Sequence, residues 1–490
     1  MRELPDVLVT SCRGADQGAM SVIRTLGRRG VQVSVLSDSD RCLTRHSRYC
    51  ASFTCLPNYT LDPHGTLEWL LDWAARRPTV PVLFPTADPD LKLLTQLRPF
   101  WDGHFRHFLG RPDIVESLMD KVRFMDLAAK HEMPVPVTYA LERHSRFVTL
   151  SERLSYPVVL KPGHPGAWTH PEIQKIVRYR KALIVGSSDA LRGYVEAIRP
   201  WSDDLIIQEC IVGPDEHHYS AHAFVRQDGE PLALFTGRKL RVHPPFAGSG
   251  CFVRSVRVPE LVDLTLEILK QIRYRGIAVL NFKQDVRTGR FLLHEINPRI
   301  SQWNILGAAS GVDVAWAAYA DASGLAVSPM REQTETMQYV DLRNDLKSWA
   351  SYRRVGLWGV RSYLGSLLQR RTVHQLFSTD DVVPFLVCCG RTLRSLLGRL
   401  LRPTKYGETW ASRMRSVDED RALASRSTAP GDIASPANSV TATGEAKKTP
   451  HDVEAVSRGV RNHGLRTLVP VAALHEGIQL AVDALLCAAV

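Results

Sequence analysis

Cysteine is scarce in this chain: 9 among 490 residues, at positions 12, 42, 50, 55, 210, 251, 388, 389 and 487, with no Cys-x-x-Cys pair. That distribution excludes a disulfide scaffold and a zinc ribbon, and predicts a reducing, cytoplasmic setting. Long apolar runs are missing too, because no stretch of about 20 residues is both apolar and free of charge. The nearest, 382–401 and 468–490, carry Arg391, Arg394 and Arg399 or Glu476 and Asp483, and have the composition of amphipathic helices. The N-terminus holds Glu3 and Asp6 and lacks the apolar core of a secretory signal. The first loop, SCRGADQG, is not Gly-x-Gly-x-x-Gly, so a dinucleotide fingerprint is absent. There is no internal repeat.

Acidic residues are outnumbered, 51 against 62 Lys and Arg, for a net charge of +11. Between Asp341 and Lys405 stand 12 basic and 4 acidic residues, a local +8. Most of the excess therefore sits in one C-terminal stretch and the remainder is nearly balanced. No nucleic-acid motif accompanies the charge, so no nucleic acid is expected as a partner. The basic stretch 353–405, interleaved with Leu, Trp and Phe, fits either a solvated helical cap or peripheral contact with an anionic membrane.

What is present begins with an α/β pattern. DVLVT (6–10), VQVSVL (31–36) and VPVLFPT (80–86) read as parallel strands, with helices over 19–29 and 65–77 between them. Arg13, Asp16 and Asp88 fall beyond the carboxyl ends of these strands, where such sheets collect ligands. One helix is expected over 113–131. An α+β pattern then follows: strands at 155–162 and 204–213, a hairpin over 218–243 turning at Asp228-Gly229, and a second over 276–299 turning at 287–289. The reading divides the chain into a Rossmann-like domain (1–110), an α+β region (111–325), a basic helical appendage (326–410), a tail disordered by composition (411–467) and an apolar terminal helix (468–490).

Four features carry chemistry together. Lys161 ends the strand VVLKP before a loop with Gly163 and Gly166, where an amine can reach a phosphate. In IIQECIVGPDEHHYS, the polar pair Gln208-Glu209, the apolar Ile211 and Val212 and the acidic pair Asp215-Glu216 offer a purine slot, a hinge backbone and a ribose carboxylate. On the last hairpin, Asn281 lies on one strand while Glu295 and Asn297, two apart, share a face of the other. Such oxygen donors suit Mg²⁺, and Arg299 follows them. His294 alternates away from Glu295, so no general base is evident. Finally, in GRKLRVH, alternation puts Lys239 and Arg241 on one face and Arg238 on the other.

VVLKP, QECIVG with its acidic pair, LNFKQD and HEINPR, in this order, resemble the ATP-grasp superfamily over about residues 5–325, and most closely its carboxylate–amine ligases, which include D-aspartate ligases. The resemblance implies a pre-ATP-grasp α/β domain followed by two α+β subdomains with ATP between them. It implies that Lys121 and Lys161 contact phosphates. Gln208, Glu209, Ile211 and Val212 would form the adenine hinge, and Asp215 or Glu216 would take the ribose. Asn281, Glu295 and Asn297 would bind Mg²⁺. Arg299, with Arg238 and Lys239, would serve the transferred phosphoryl group or the acceptor carboxylate. The implied reaction is ATP-dependent joining of a small-molecule carboxylate to an amine through an acylphosphate, by a protein that could form homo-oligomers. Two departures stand out. The family often has Glu at the place of Asn281, which removes one charge from the metal site. The loop after Lys161 contains Pro165, Trp168 and Pro171 and is less glycine-rich than usual. These departures leave a second outcome open, a degenerate ATP-binding scaffold without turnover.

Overall fold

The computed structural model describes residues 4–400, apart from 13–15, 142–146, 164–167, 178–181, 246–247 and 369–370. The expected tail and terminal helix, most of the loop after Lys161, Arg13, and residues 401–405 of the basic stretch lie outside the described residues.

The N-terminal layer is a parallel sheet of β1 (Val7–Ser11), β2 (Val33–Ser37), β3 (Cys50–Cys55) and β4 (Val82–Pro85) in the order β3-β2-β1-β4. β1, β2 and β4 are buried along their whole length, as their continuous apolar runs require. Strand β3, CASFTC, is half exposed at the sheet edge and lacks that run, so it escaped the sequence reading.

The expected single helix over 113–131 is two, Pro112–Met119 and Lys121–Lys130. Asp120 is the break: its backbone is extended, and its carboxylate accepts from the amides of Val122 and Arg123 as an N-cap. A β-region residue in mid-pattern ends one helix and starts the next, which places Lys121 in a first turn.

Two sheets follow, antiparallel throughout apart from the last pair of strands in the larger one, which run parallel. The smaller contains β5 (Thr138–Leu141), β6 (Val158–Pro162), β7 (Leu183–Val185) and β8 (Leu205–Glu209) in the order β5-β8-β6-β7, and it has its own apolar core. The larger orders β13-β12-β9-β10-β11-β14-β15, from β9 (His218–Val225), β10 (Pro231–His243), β11 (Ser249–Ser255), β12 (Gly276–Gln284), β13 (Phe291–Asn297), β14 (Gln338–Val340) and β15 (Thr372–His374). The face of this sheet that carries His218, Ser220, Lys239 and Asn281 continues through Phe224, Phe235 and Ile277 into the same core as the N-terminal layer, and its back, through Ala221, Ala278 and Phe282, has a core of its own. The expected appendage (326–410) thus supplies two sheet strands, β14 and β15, as well as helices, among them Leu342–Arg354, Val360–Leu367 and Val383–Leu400. No helix among the described residues is long and apolar enough to cross a membrane.

Among the register irregularities of the larger sheet, two β-bulges bear on the candidate site. On β10, Lys239 opposes Val253 whereas Arg241 opposes Phe252, a slip of one residue. On β13, Asn281 of β12 opposes Glu295 whereas Phe282 opposes Leu293, so His294 is the extra residue. A bulge reverses the alternation of every side chain beyond it.

Candidate active site

Lys161, at the end of β6, extends its Nζ 2.9 Å to Oε1 of Gln208 on the neighbouring β8, and Nε2 of Gln208 donates to Thr138. Lys121 donates to the carbonyl of Pro162 at 2.8 Å, so the two lysines converge on one strand end. Burial is the main reason the Lys161 ammonium is depressed to about 8; Lys121 adds to it, and Glu295 opposes it from the larger sheet. The expected hinge follows β8. Glu209 donates its amide to Val137, Ile211 is buried, and Val212 receives the amide of Val286.

The larger sheet supplies the other wall. His218 and Ser220 of β9 share a face; His218 is in register with Lys239 on one side and Lys283 on the other, and Ser220 with Asn281. Lys239 donates to Oδ1 of Asn281 at 2.8 Å, and Ser220 donates to the same oxygen. Nδ2 of Asn281 then donates to Glu295 at 3.0 Å, and Nδ2 of Asn297 donates to the same Glu295 oxygen at 3.1 Å. Glu295 is exposed on the site floor yet ringed by donors and cations. Desolvation pushes its pKa up, but the Asn297 hydrogen bond and the charges of Lys239, Lys161 and Arg299 outweigh that and hold it below the ordinary value. Burial lowers Lys239 to about 8 against the pull of Glu295 and Asp215, and burial lowers Lys283 as well.

Arg299 leaves this wall for the N-terminal layer. It grips Asp88, the first residue of the helix Asp88–Gln96, through Nε at 2.5 Å and Nη2 at 3.0 Å. Nη2 also reaches Oδ1 of Asn297 at 3.4 Å. This bidentate pair fastens the floor of the crevice to the N-terminal layer.

The acidic pair, left open by sequence, divides in the structure. Asp215 is buried and its carboxylate accepts from the hydroxyl of Tyr352 at 2.6 Å. Glu216 is half-buried, with its carbonyl bonded to Arg238 and its carboxylate 4.0 Å from the same guanidinium. Arg238 also lies over the ring of Tyr219.

Two expectations are corrected by the bulges. Arg241 does not share the face of Lys239. The β10 bulge turns it into a fully buried pair with Asp345, at 2.6 and 2.8 Å, between the rings of Phe252, Trp358 and Tyr363. His294 does not point away from the site. The β13 bulge turns it onto His218, with ring centres 5.7 Å apart, beside Lys161, Lys283 and Lys239. Burial, reinforced by those cations, lowers its pKa to about 3, so it is neutral. Lys283, His218 and Ser220 were missed by sequence reasoning. A period of 2 counted back from Asn281 and across the hairpin would have found them.

The described residues thus bring Lys121, Lys161, Gln208, Lys239, Asn281, Glu295, Asn297 and Arg299 around one crevice between the smaller and the larger sheet. They contain no cluster of three His, Cys, Asp or Glu able to hold a metal. The donors available to a cation are the carboxylate of Glu295 and the amides of Asn297 and Asn281. In the arrangement seen, Oδ1 of Asn281 is already engaged by Lys239 and Ser220, so Asn281 acts as a bridge from ammonium to carboxylate. Lys239, Lys161 and Arg299 bear on the one carboxylate of Glu295, with Lys121 and Lys283 nearby, an excess of positive charge that matches a polyanionic ligand.

No family model matches the chain. D-aspartate ligase of Enterococcus faecium is 23% identical over 318 residues, covering 62% of this chain and 73% of that protein. D-alanine–D-alanine ligase B of Pseudomonas putida is 25% identical over 186 residues, 36% of this chain and 54% of its own length. Among solved structures, the biotin carboxylase domain of 2-oxoglutarate carboxylase from Hydrogenobacter thermophilus, a complex with MgADP, ADP and bicarbonate, superposes with a TM-score of 0.53 at 16% identity, covering 69% of this chain and 73% of that one. The last likeness is one of fold.

Proposed function

The chain has the ATP-grasp fold and is similar in sequence to ATP-grasp ligases, and from that premise we propose that it is an ADP-forming ligase joining a small carboxylate to an amine. The observation that carries this reading is the convergence of Lys121, Lys161 and Lys239 with Glu295 and Arg299 on one crevice. A triphosphate would bring matching negative charge to these converging cations. Gln208 holds Lys161 in place, and Lys121 shares the same strand end, so both ammonium groups are pre-positioned before nucleotide arrives. The backbone from Glu209 to Val212 borders the adenine. Glu216 takes the ribose, because Asp215 is committed to Tyr352.

Glu295 and Asn297, with Asn281 behind them, would hold Mg²⁺, which would supply neutralisation of phosphate charge there. In the reaction, an oxygen of the substrate carboxylate attacks the γ-phosphorus, ADP leaves, and an acylphosphate forms. The amine nitrogen then attacks the acyl carbon, loses a proton and expels inorganic phosphate. Arg299, locked by Asp88, stabilises charge as it develops on phosphoryl and acyl oxygens, whereas Arg238, on the opposite face of β10 over Tyr219, is turned away from that role. Nothing in this scheme requires a covalent bond to the protein. D-aspartate, the substrate in the name of one similar enzyme, heads the carboxylates to test, followed by other amino acids and dipeptides.

The test is MgATP binding together with ADP release for the native chain and Glu295→Gln. The reading expects binding in both and turnover in the native chain alone. Binding with no turnover against any carboxylate and amine pair would identify a scaffold instead.

A further inference from the structure

The helix Leu342–Arg354 lies outside the two sheets that form the crevice, yet beside Leu346 its buried face is made of polar side chains. Asp345, Ser348 and Tyr352, spaced i, i+3 and i+7, are all buried. An amphipathic helix ordinarily buries apolar residues at those positions. Each of these three side chains is spent on the irregular part of β10. Asp345 takes the guanidinium of Arg241. The hydroxyl of Ser348 donates to the carbonyl of Val242. The hydroxyl of Tyr352 accepts from the amide of Val242 at 3.2 Å. Val242 sits where the β10–β11 register slips a second time, so its backbone groups are served by the helix.

Tyr352 has a second task. The hydrogen of its hydroxyl goes to Oδ2 of Asp215 at 2.6 Å. Asp215 opens the short 3₁₀ turn Asp215–His217 that follows the proposed adenine hinge, contains Glu216 and leads into β9. One hydroxyl therefore joins the loop that borders the nucleotide to β10, three residues beyond Lys239. The bond is buried and goes to a carboxylate, the kind that is costly to lose.

We propose that Tyr352 is a positioning residue for the nucleotide: by bridging Asp215 and Val242 it sets the loop 210–217 against β10, and so makes the C-terminal helix part of the ATP site. This inference rests on the ligase reading above. Tyr352 touches no reacting atom, so its loss acts on nucleotide affinity and leaves the chemical step largely intact.

The experiment uses the full chain and its Tyr352→Phe variant, which keeps the ring and removes only the hydroxyl. Equilibrium binding of MgATP and MgADP is measured first. No binding by the native chain would defeat the ligase reading itself, and with it the proposal. With binding in hand, Tyr352→Phe is expected to weaken both nucleotides roughly tenfold or more, the scale set by one hydrogen bond to a charged group. The KM for ATP should rise to match, with kcat and the KM for the amine within about a factor of two or three. Ser348→Ala disturbs the same helix and the same Val242 but not Asp215, and is expected to lower the melting temperature without changing nucleotide affinity. Equal affinities for native and Tyr352→Phe, or an equal loss in Ser348→Ala, would overturn the proposal. Should Tyr352→Phe fail to fold, hydrogen exchange on the native chain decides. MgADP is expected to slow exchange in 210–217 and 342–354 together, and slowing in 210–217 alone would overturn it.

Discussion

Lys161 carries the plainest pH signature in the crevice. Burial holds its ammonium at about 8, below the unfolded value of about 10.4. Between those values the unfolded chain binds the proton and the folded chain does not. The free protein is therefore expected to gain stability as pH rises from about 8 to 10, the reverse of the usual trend for a paired lysine. A triphosphate favours the charged form. MgATP binding at pH 8.5 should take up protons, visible as a dependence of the calorimetric heat on buffer ionisation enthalpy, and should take up almost none at pH 6.5. Lys161→Arg, which stays protonated, should remove part of the difference, the rest belonging to Lys239, which burial also holds at about 8. Glu295 sets the second prediction at this scale. Glu295→Gln removes the one carboxylate among the donors on the site floor, and should cut the rate of ADP formation by roughly 10²–10³-fold or more. Both residues were legible in sequence, because an amine at a strand end and a carboxylate in an apolar run are costly without a purpose. Lys283 and His294 were not. The first needed a period counted across two strands, and the second was hidden by a bulge that no local pattern announces.

At the scale of elements, β10 shows where reading by alternation stops. Its first half obeys the period of 2, and Arg238 and Lys239 fall where that period puts them. Beyond the bulge the alternation reverses, and Arg241 becomes a core residue paired with Asp345, both side chains fully buried. Asp345→Ala leaves a buried guanidinium without its counter-charge and is expected to cost about 3–5 kcal/mol in urea denaturation. Replacing both partners by apolar residues of similar size should cost less. Asp120 marks a second limit. The apolar spacing runs straight through it, so 113–131 reads as one helix. The structure breaks that helix at a residue whose carboxylate caps the next one. Asp120→Ala should destabilise the fold by about 1 kcal/mol, and should also weaken nucleotide binding, because the cap places Lys121.

For the whole molecule, the C-terminal stretch is bound into the catalytic core at two far-separated points. Arg241 meets Asp345 at one. At the other, the buried Arg24 of the first layer meets Asp381, which also accepts from Ser47 and the amide of Arg48. Asp380 pairs with Arg28 at the surface beside it. Three of the four acidic residues in the +8 stretch are thus consumed in ion pairs with arginines outside it, and Asp341 caps a helix. A chain ending at Val340 leaves Arg24 and Arg241 buried without partners, and is expected not to accumulate as folded protein. One ending at Leu400 keeps every one of these contacts and should melt as the full chain does. Composition located the excess charge correctly, but it could not show where the acids pointed. Contacts between residues 357 apart leave no trace in local sequence. The two-hairpin core was legible because its turns and strand periods are local. The most direct test of ligation is oxygen transfer. The native chain is given MgATP, an amine and a carboxylate labelled with ¹⁸O, starting with D-aspartate and extending to other amino acids and dipeptides, and the inorganic phosphate is examined by mass spectrometry. Passage through an acylphosphate predicts one ¹⁸O per phosphate, formed in step with ADP and amide product. ADP released with unlabelled phosphate, independent of both co-substrates, would contradict the account.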